Sequence, residues 1–108
     1  MIWYQYLCAD ENLVRKKDAV KRKIRRNIGT PGVYVIALSH HREDLLEIYP
    51  TAVLMQPGFP KDRLFVVGIA KGQESAYMLA GRIIFAIYRE TGAFQVQQYI
   101  LARQRERG

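Results

Sequence analysis

Residues 64–92 read LFVVGIAKGQESAYMLAGRIIFAIYRETG, and this stretch decides the fold. Leu64, Phe65, Val66, Val67, Ile69 and Ala70 leave almost no polar position, the pattern of a strand covered on both faces. Gly68 interrupts the run, which predicts a bulge or a close backbone approach. Gly72 then caps a helix whose first turn holds Glu74, where a negative charge suits the helix dipole. Ala76, Leu79, Ala80, Ile83, Ile84 and Ile87 recur at three- and four-residue steps and give that helix one wide apolar face; Gly92 stops it.

The other side of this helix carries Met78, Arg82, Phe85 and Arg89. A Met and a Phe framed by arginines form a candidate partner surface, unless a neighbouring segment of the same chain covers them. Gly68, Lys71 and Gly72 also invite a phosphate-loop reading. That loop needs a longer Gly-rich turn with Lys and Ser/Thr after its last Gly. Here Lys71 precedes Gly72, and Glu74 would repel an anion, so a plain strand-to-helix turn is the stronger reading, leaving at most a weak anion site.

Working towards the N-terminus, Pro50, Pro57 and Pro60 mark an irregular region. Leu45, Leu46, Ile48 and Tyr49 fit an edge strand or a short helix, and Pro50 can open a helical turn through Met55. Val33 to Leu38 is a second strand apolar on both faces, preceded by the turn Thr30-Pro31-Gly32. Residues 12–28 read as a helix capped by Asp10 or Asn12, with Leu13, Val20, Ile24 and Ile28 as its apolar stripe and Gly29 as its stop. Ile2 to Cys8 reads as an aromatic-rich strand, with Tyr4, Tyr6 and Cys8 on one face and Trp3, Gln5 and Leu7 on the other. Cys8, the single cysteine, reads as a small buried apolar group rather than a nucleophile. Beyond Gly92, residues 93–97 fit a short edge strand, and Tyr99 to Leu101 could open a terminal helix fraying into a basic tail, 101–108.

The run VVGIAKGQESAYMLAGRIIFAIYRETG, about a quarter of the chain, resembles a group of small bacterial proteins of unknown role with a strand ending Val-Gly-Ile-Ala, a Gly turn and a helix closed by Thr-Gly. The resemblance implies a shared scaffold and carries over no functional residue.

At 108 residues the chain is expected to form one domain able to bury a modest core without disulfides or metals. No run reaches the length of a membrane span, and the N-terminus lacks a signal-peptide pattern, so the expected location is the cytoplasm. The expected class is α+β: a mixed sheet with helices in ferredoxin-like βαββαβ order, with an insertion between the second and third strands. The alternative is a small three-layer α/β sandwich in which the insertion covers the far face.

Charge is unevenly placed. Residues 11–28 hold eight basic residues, Arg15, Lys16, Lys17, Lys21, Arg22, Lys23, Arg25 and Arg26, against Glu11 and Asp18, a net +6 of the chain's +7. This suits nucleic acid or an anionic surface; the competing reading is a solvated face whose long stems shield the core. Three functional classes follow. The first is a non-enzymatic assembly or regulatory module, a homodimer, because two double-faced strands plus Met78 and Phe85 exceed what one short chain hides. The second is nucleic-acid binding through the basic helix. An enzyme comes third: no triad, metal cluster or cofactor loop is present, and His40, His41 and Glu43 join Lys71 only if the two apolar strands are parallel. Adjacent histidines rarely converge on one ion, so no metal and no cofactor is implied.

Overall fold

The computed structural model describes residues 1–106; Arg107 and Gly108, part of the expected basic tail, lie outside the described residues. Strands β1 (Ile2–Ala9), β2 (Val33–Leu38), β3 (Leu46–Pro50) and β4 (Phe65–Lys71) form one mixed sheet in the order β1-β4-β2-β3. β4 is parallel to β1 and antiparallel to β2, and β3 is antiparallel to β2. The two strands apolar on both faces, β2 and β4, take the central places, where neighbours and two covering layers bury nearly every residue.

Helices lie on both sides. α3 (Gln73–Thr91) and α4 (Val96–Arg105) pack Leu79, Ile87, Val96 and Ile100 against Tyr4, Ile36 and Val67. The opposite face is covered by α1 (Lys17–Arg25) through Val20 and Ile24, and by the insertion through Leu54 of the short α2 (Thr51–Leu54) and Phe59. The α+β class holds, but the ferredoxin-like order does not describe this sheet. The insertion contributes edge strand β3, and the strand expected at 93–97 does not form. Val96 and Ile100 are both buried at helical i,i+4 spacing, which outweighs the weak alternation of exposed Phe94 with Val96. The chain thus clothes both faces of its own sheet, and the apolar strands no longer demand a second subunit.

The expected bulge is present. Between β2 and β4 the register steps from Ile36↔Gly68 to Ala37↔Val66, so Val67 is the extra residue. Val67 and Gly68 consequently both face α3. A Cβ on Gly68 would lie 3.3 Å from Ile36 Cδ1, 3.4 Å from Leu79 Cδ2 and 3.5 Å from the Cys8 carbonyl oxygen. Only glycine fits that second consecutive inward position without displacing a neighbour. Gly72 (φ 94°) and Gly92 (φ 76°) bound α3 in backbone conformations that side chains disfavour, as their positions in the sequence predict.

Helix α1 is shorter than expected and stops before Gly29. Its end is a Schellman motif at Asn27 (φ 56°): the Ile28 N–H donates to the Lys23 carbonyl at 2.8 Å and the Asn27 N–H to the Ile24 carbonyl at 3.1 Å. Asn tolerates the left-handed conformation, so the helix needed no glycine to end. Lys61 adds a second closure, its ammonium donating to the Ile24 carbonyl at 2.9 Å and to Asn27 Oδ1 at 2.6 Å.

Candidate functional site

Asp10 sets where the basic segment begins. Its buried carboxylate accepts the Leu13 N–H at 3.1 Å and, across the fold, the Lys71 N–H at 3.0 Å. A 3-10 turn, Val14–Lys16, then leads into α1. Val20 and Ile24 point at the sheet, so cationic side chains, with Asp18 and Ala19, occupy the rest of the circumference. Arg15, Lys16, Arg22, Lys23, Arg25 and Arg26 are exposed, while Lys17 and Lys21 are half-buried on the flank facing β1. Lys17 Nζ donates to the Leu7 carbonyl at 3.1 Å, and Lys21 Nζ sits 5.6 Å from the centre of the Trp3 ring. Among the described residues the only ion pair is Arg42–Asp44, so no cation of the basic segment is held by a carboxylate.

Beside this helix runs the outer edge of β1, and the two enclose a groove of about 530 Å³. Lys17, Lys21 and Arg25 line one wall, Trp3 and Gln5 the other, with Gln104 at the end of α4. Sequence reasoning found the cations but missed Trp3 and Gln104 as their neighbours. The alternation of β1 did place Trp3 beside Gln5 and Leu7, the face that α1 covers. Nothing local reports Gln104, which lies almost a full chain length away.

The second surface is the outer side of α3. Met78, Arg82, Phe85 and Arg89 are all exposed there, with the Arg89 guanidinium 5.9 Å from the Phe85 ring. Tyr77, Tyr88 and Phe94 extend the patch, and Tyr88 stacks on Phe94 at 4.6 Å. Tyr88 was legible as the i+3 neighbour of Phe85 on a helical wheel; Phe94 was not, because it follows the helix end.

The expected enzyme set does not assemble. β2 and β4 are antiparallel with Val33 opposite Lys71, so His40, His41 and Glu43 lie beyond the far end of β2 from Lys71. Both histidines are exposed loop residues, and no group of three metal-ligand side chains forms among the described residues. Ser39 caps this loop, accepting the N–H of His41 at 3.0 Å and of Arg42 at 3.1 Å. The anion reading of the Gly72 turn also weakens, because Asp10 already brings a carboxylate to the Lys71 amide.

A cleft of about 220 Å³ between β1, α3 and α4 gathers Tyr4, Tyr6, Cys8, Tyr99 and Arg103. Arg103 and Tyr99 find their partners within the fold. The Arg103 guanidinium stacks 4.2 Å from the Tyr6 ring and donates to the Tyr99 hydroxyl at 3.2 Å, while that hydroxyl donates to Glu90. Burial pushes the Cys8 thiol up, more than Lys17 and Arg103 pull it down, which is the behaviour of an inert packed thiol.

Burial likewise raises the phenol of Tyr4 to about 12, and burial with the Glu47 hydrogen bond raises Tyr49 to about 12. The folded state therefore keeps both protons at pH values where the unfolded chain loses them. Stability is expected to be insensitive to these groups below pH 10 and to fall between pH 10 and pH 12. Urea midpoints across that window measure the fall, and Tyr4→Phe should lessen it; unchanged midpoints up to pH 12 would contradict it.

Compared with known proteins, the chain matches no family model, no curated protein and no solved structure.

Proposed function

We propose that the protein binds a polyanion, nucleic acid, through its basic 3-10 turn and helix α1. The observation that supports this reading is the clustering of eight cations, including Arg15, Arg22, Arg25 and Arg26, with no carboxylate partner on any of them among the described residues. Like charges on adjacent turns repel and lower helix stability. A surface that keeps them unpaired is suited to phosphates, where binding releases condensed counterions. Fluorescence anisotropy with generic DNA and RNA tests the reading. With about six phosphate contacts, log affinity should fall against log salt with a slope of about −4 on a single strand. Triple reversal of Lys21, Arg22 and Arg25 to Glu should abolish binding while circular dichroism stays native. No binding of either polymer at tens of micromolar protein in low salt ends the proposal.

A second reading, a homodimer through the outer side of α3, draws on a different observation. Gly81 lies on that side between Met78 and Phe85, and nothing stands within 4 Å of where its Cβ would be. A mid-helix glycine costs about 1 kcal/mol relative to alanine, and close approach of a second helix would offset that cost. Phe85→Glu should then convert a dimer to a monomer in sedimentation, and Gly81→Ala should weaken the dimer while stabilising the monomer. A wild-type monomer at micromolar concentration removes this reading.

A further inference from the structure

We infer that the groove between the β1 edge and α1 seats a single strand of nucleic acid, with phosphates on Lys17, Lys21 and Arg25 and a base against Trp3. The inference rests on the polyanion reading and narrows it to one groove and one form of ligand. Lys17, Lys21 and Arg25 stand four residues apart, so they form a row along the helix with a rise of about 6 Å per step. That step is comparable to the separation of neighbouring phosphates on one strand. Asp18 is the single carboxylate lining the groove, against three cations.

The opposite wall discriminates between ligands. β1 is an edge strand, and an edge normally invites an extended peptide to pair with it. Here the edge is already occupied. The Gln5 N–H donates to Gln104 Oε1 at 2.8 Å, and Gln104 Nε2 donates to the Trp3 carbonyl at 3.3 Å, so one side-chain amide stands in for a neighbouring strand. Gln5 Nε2 returns a bond to the Arg103 carbonyl at 2.7 Å, and Lys17 takes the Leu7 carbonyl at 3.1 Å. A peptide would find few main-chain partners left and a wall of cations. A duplex could offer phosphates to the cations but keeps its bases stacked inside. A single strand offers phosphates and a ring face together, the combination that basic grooves with an aromatic platform recognise. Lys21 lies over the Trp3 ring, a half-buried cation–π contact that a base can replace as Lys21 turns to the accompanying phosphate.

Trp3 is the chain's single tryptophan, so its emission reports the groove directly. A labelled oligothymidylate and a duplex of the same length are titrated at low salt, followed by anisotropy and by tryptophan emission. The single strand should bind about tenfold tighter than the duplex and quench Trp3. Lys21→Ala with Arg25→Ala should weaken single-strand binding roughly tenfold and flatten its salt slope by about 1.4. Arg22→Ala with Arg26→Ala removes the same charge from the basic segment outside the groove and should cost clearly less than the groove pair, about threefold. Trp3→Leu should cost about tenfold in affinity; if it misfolds by circular dichroism, the two charge pairs still decide. Equal losses from the two pairs, or tight binding with unchanged emission, overturn the groove and leave the broader polyanion reading standing. Failure of both oligomers to bind overturns both.

Discussion

Gly68→Val is expected to cost about 3 kcal/mol, and Gly68→Ala about 1 kcal/mol, because the site lacks room rather than backbone freedom. The bulge at Val67 turns two consecutive residues towards α3, and Val67 already fills the space. The alanine Cβ would stand 3.3 Å from Ile36 Cδ1 and 3.4 Å from Leu79 Cδ2, both ends of flexible side chains that can yield a few tenths of an ångström. The γ carbons of valine would have to enter the volume those two side chains occupy, in a core where Ile36 is fully buried. The Cys8 carbonyl at 3.5 Å closes the remaining direction, since main chain cannot yield as a side-chain tip does. Thermal denaturation measures the effect: a domain of this size loses roughly 4–8 °C per kcal/mol. A valine variant melting within a few degrees of the wild type would show that the bulge relaxes and that the crowding is not built in.

What was legible in the sequence follows from how local each signal is. The central strands, the bulge next to Gly68, and the caps at Gly72 and Gly92 each rest on residues within one element, and all are present. The end of α1 was misplaced because Gly29 is the stronger stop signal, whereas Asn27 adopts the left-handed turn two residues earlier. The stretch 93–97 is too short to separate period two from period 3.6, and only the burial of Ile100 decides between them. Which face the insertion covers depends on Leu54 and Phe59 meeting Val35 and Val66, contacts no local pattern encodes. The same limit applies to the groove. Its cations are contiguous in sequence and were found, while Trp3 and Gln104 join them only through the sheet edge and α4.

The two surfaces are related through the fold. α1 and α3 lie on opposite faces of the sheet, so a nucleic-acid strand on one and a second subunit on the other would not compete for space. Their proposed roles can be tested separately, with charge variants on α1 and apolar variants on α3. What links the basic helix to the core is Asp10.

Asp10→Ala is expected to lower stability by about 2 kcal/mol and to loosen the start of the basic segment before the protein as a whole unfolds. The carboxylate is only 7% exposed, and its two oxygens serve two different parts of the chain. Oδ1 accepts the Leu13 N–H at 3.1 Å, fixing the turn that launches α1, and Oδ2 accepts the Lys71 N–H at 3.0 Å, fixing the end of β4 before Gly72. Truncation leaves both donors without that acceptor, and a buried backbone N–H without its partner costs about 1–3 kcal/mol. Leu13 N–H also has the Asp10 carbonyl at 3.1 Å, and the Lys71 amide is only part-buried, so each loss falls at the lower end of that range. Asp10→Asn keeps one acceptor oxygen and should lose about half as much. Hydrogen exchange separates the local from the global effect: the amides of Leu13 and Lys71 should exchange faster in Asp10→Ala, while those of Val35 and Val66 in the sheet centre follow only the global loss. Anisotropy should record weaker nucleic-acid binding under conditions where the variant is still folded, since Lys17 and Lys21 hold their groove positions only if α1 starts where Asp10 puts it. Wild-type protection at both amides would mean that water takes over the acceptor role, and that Asp10 neither stabilises the junction nor positions the basic helix.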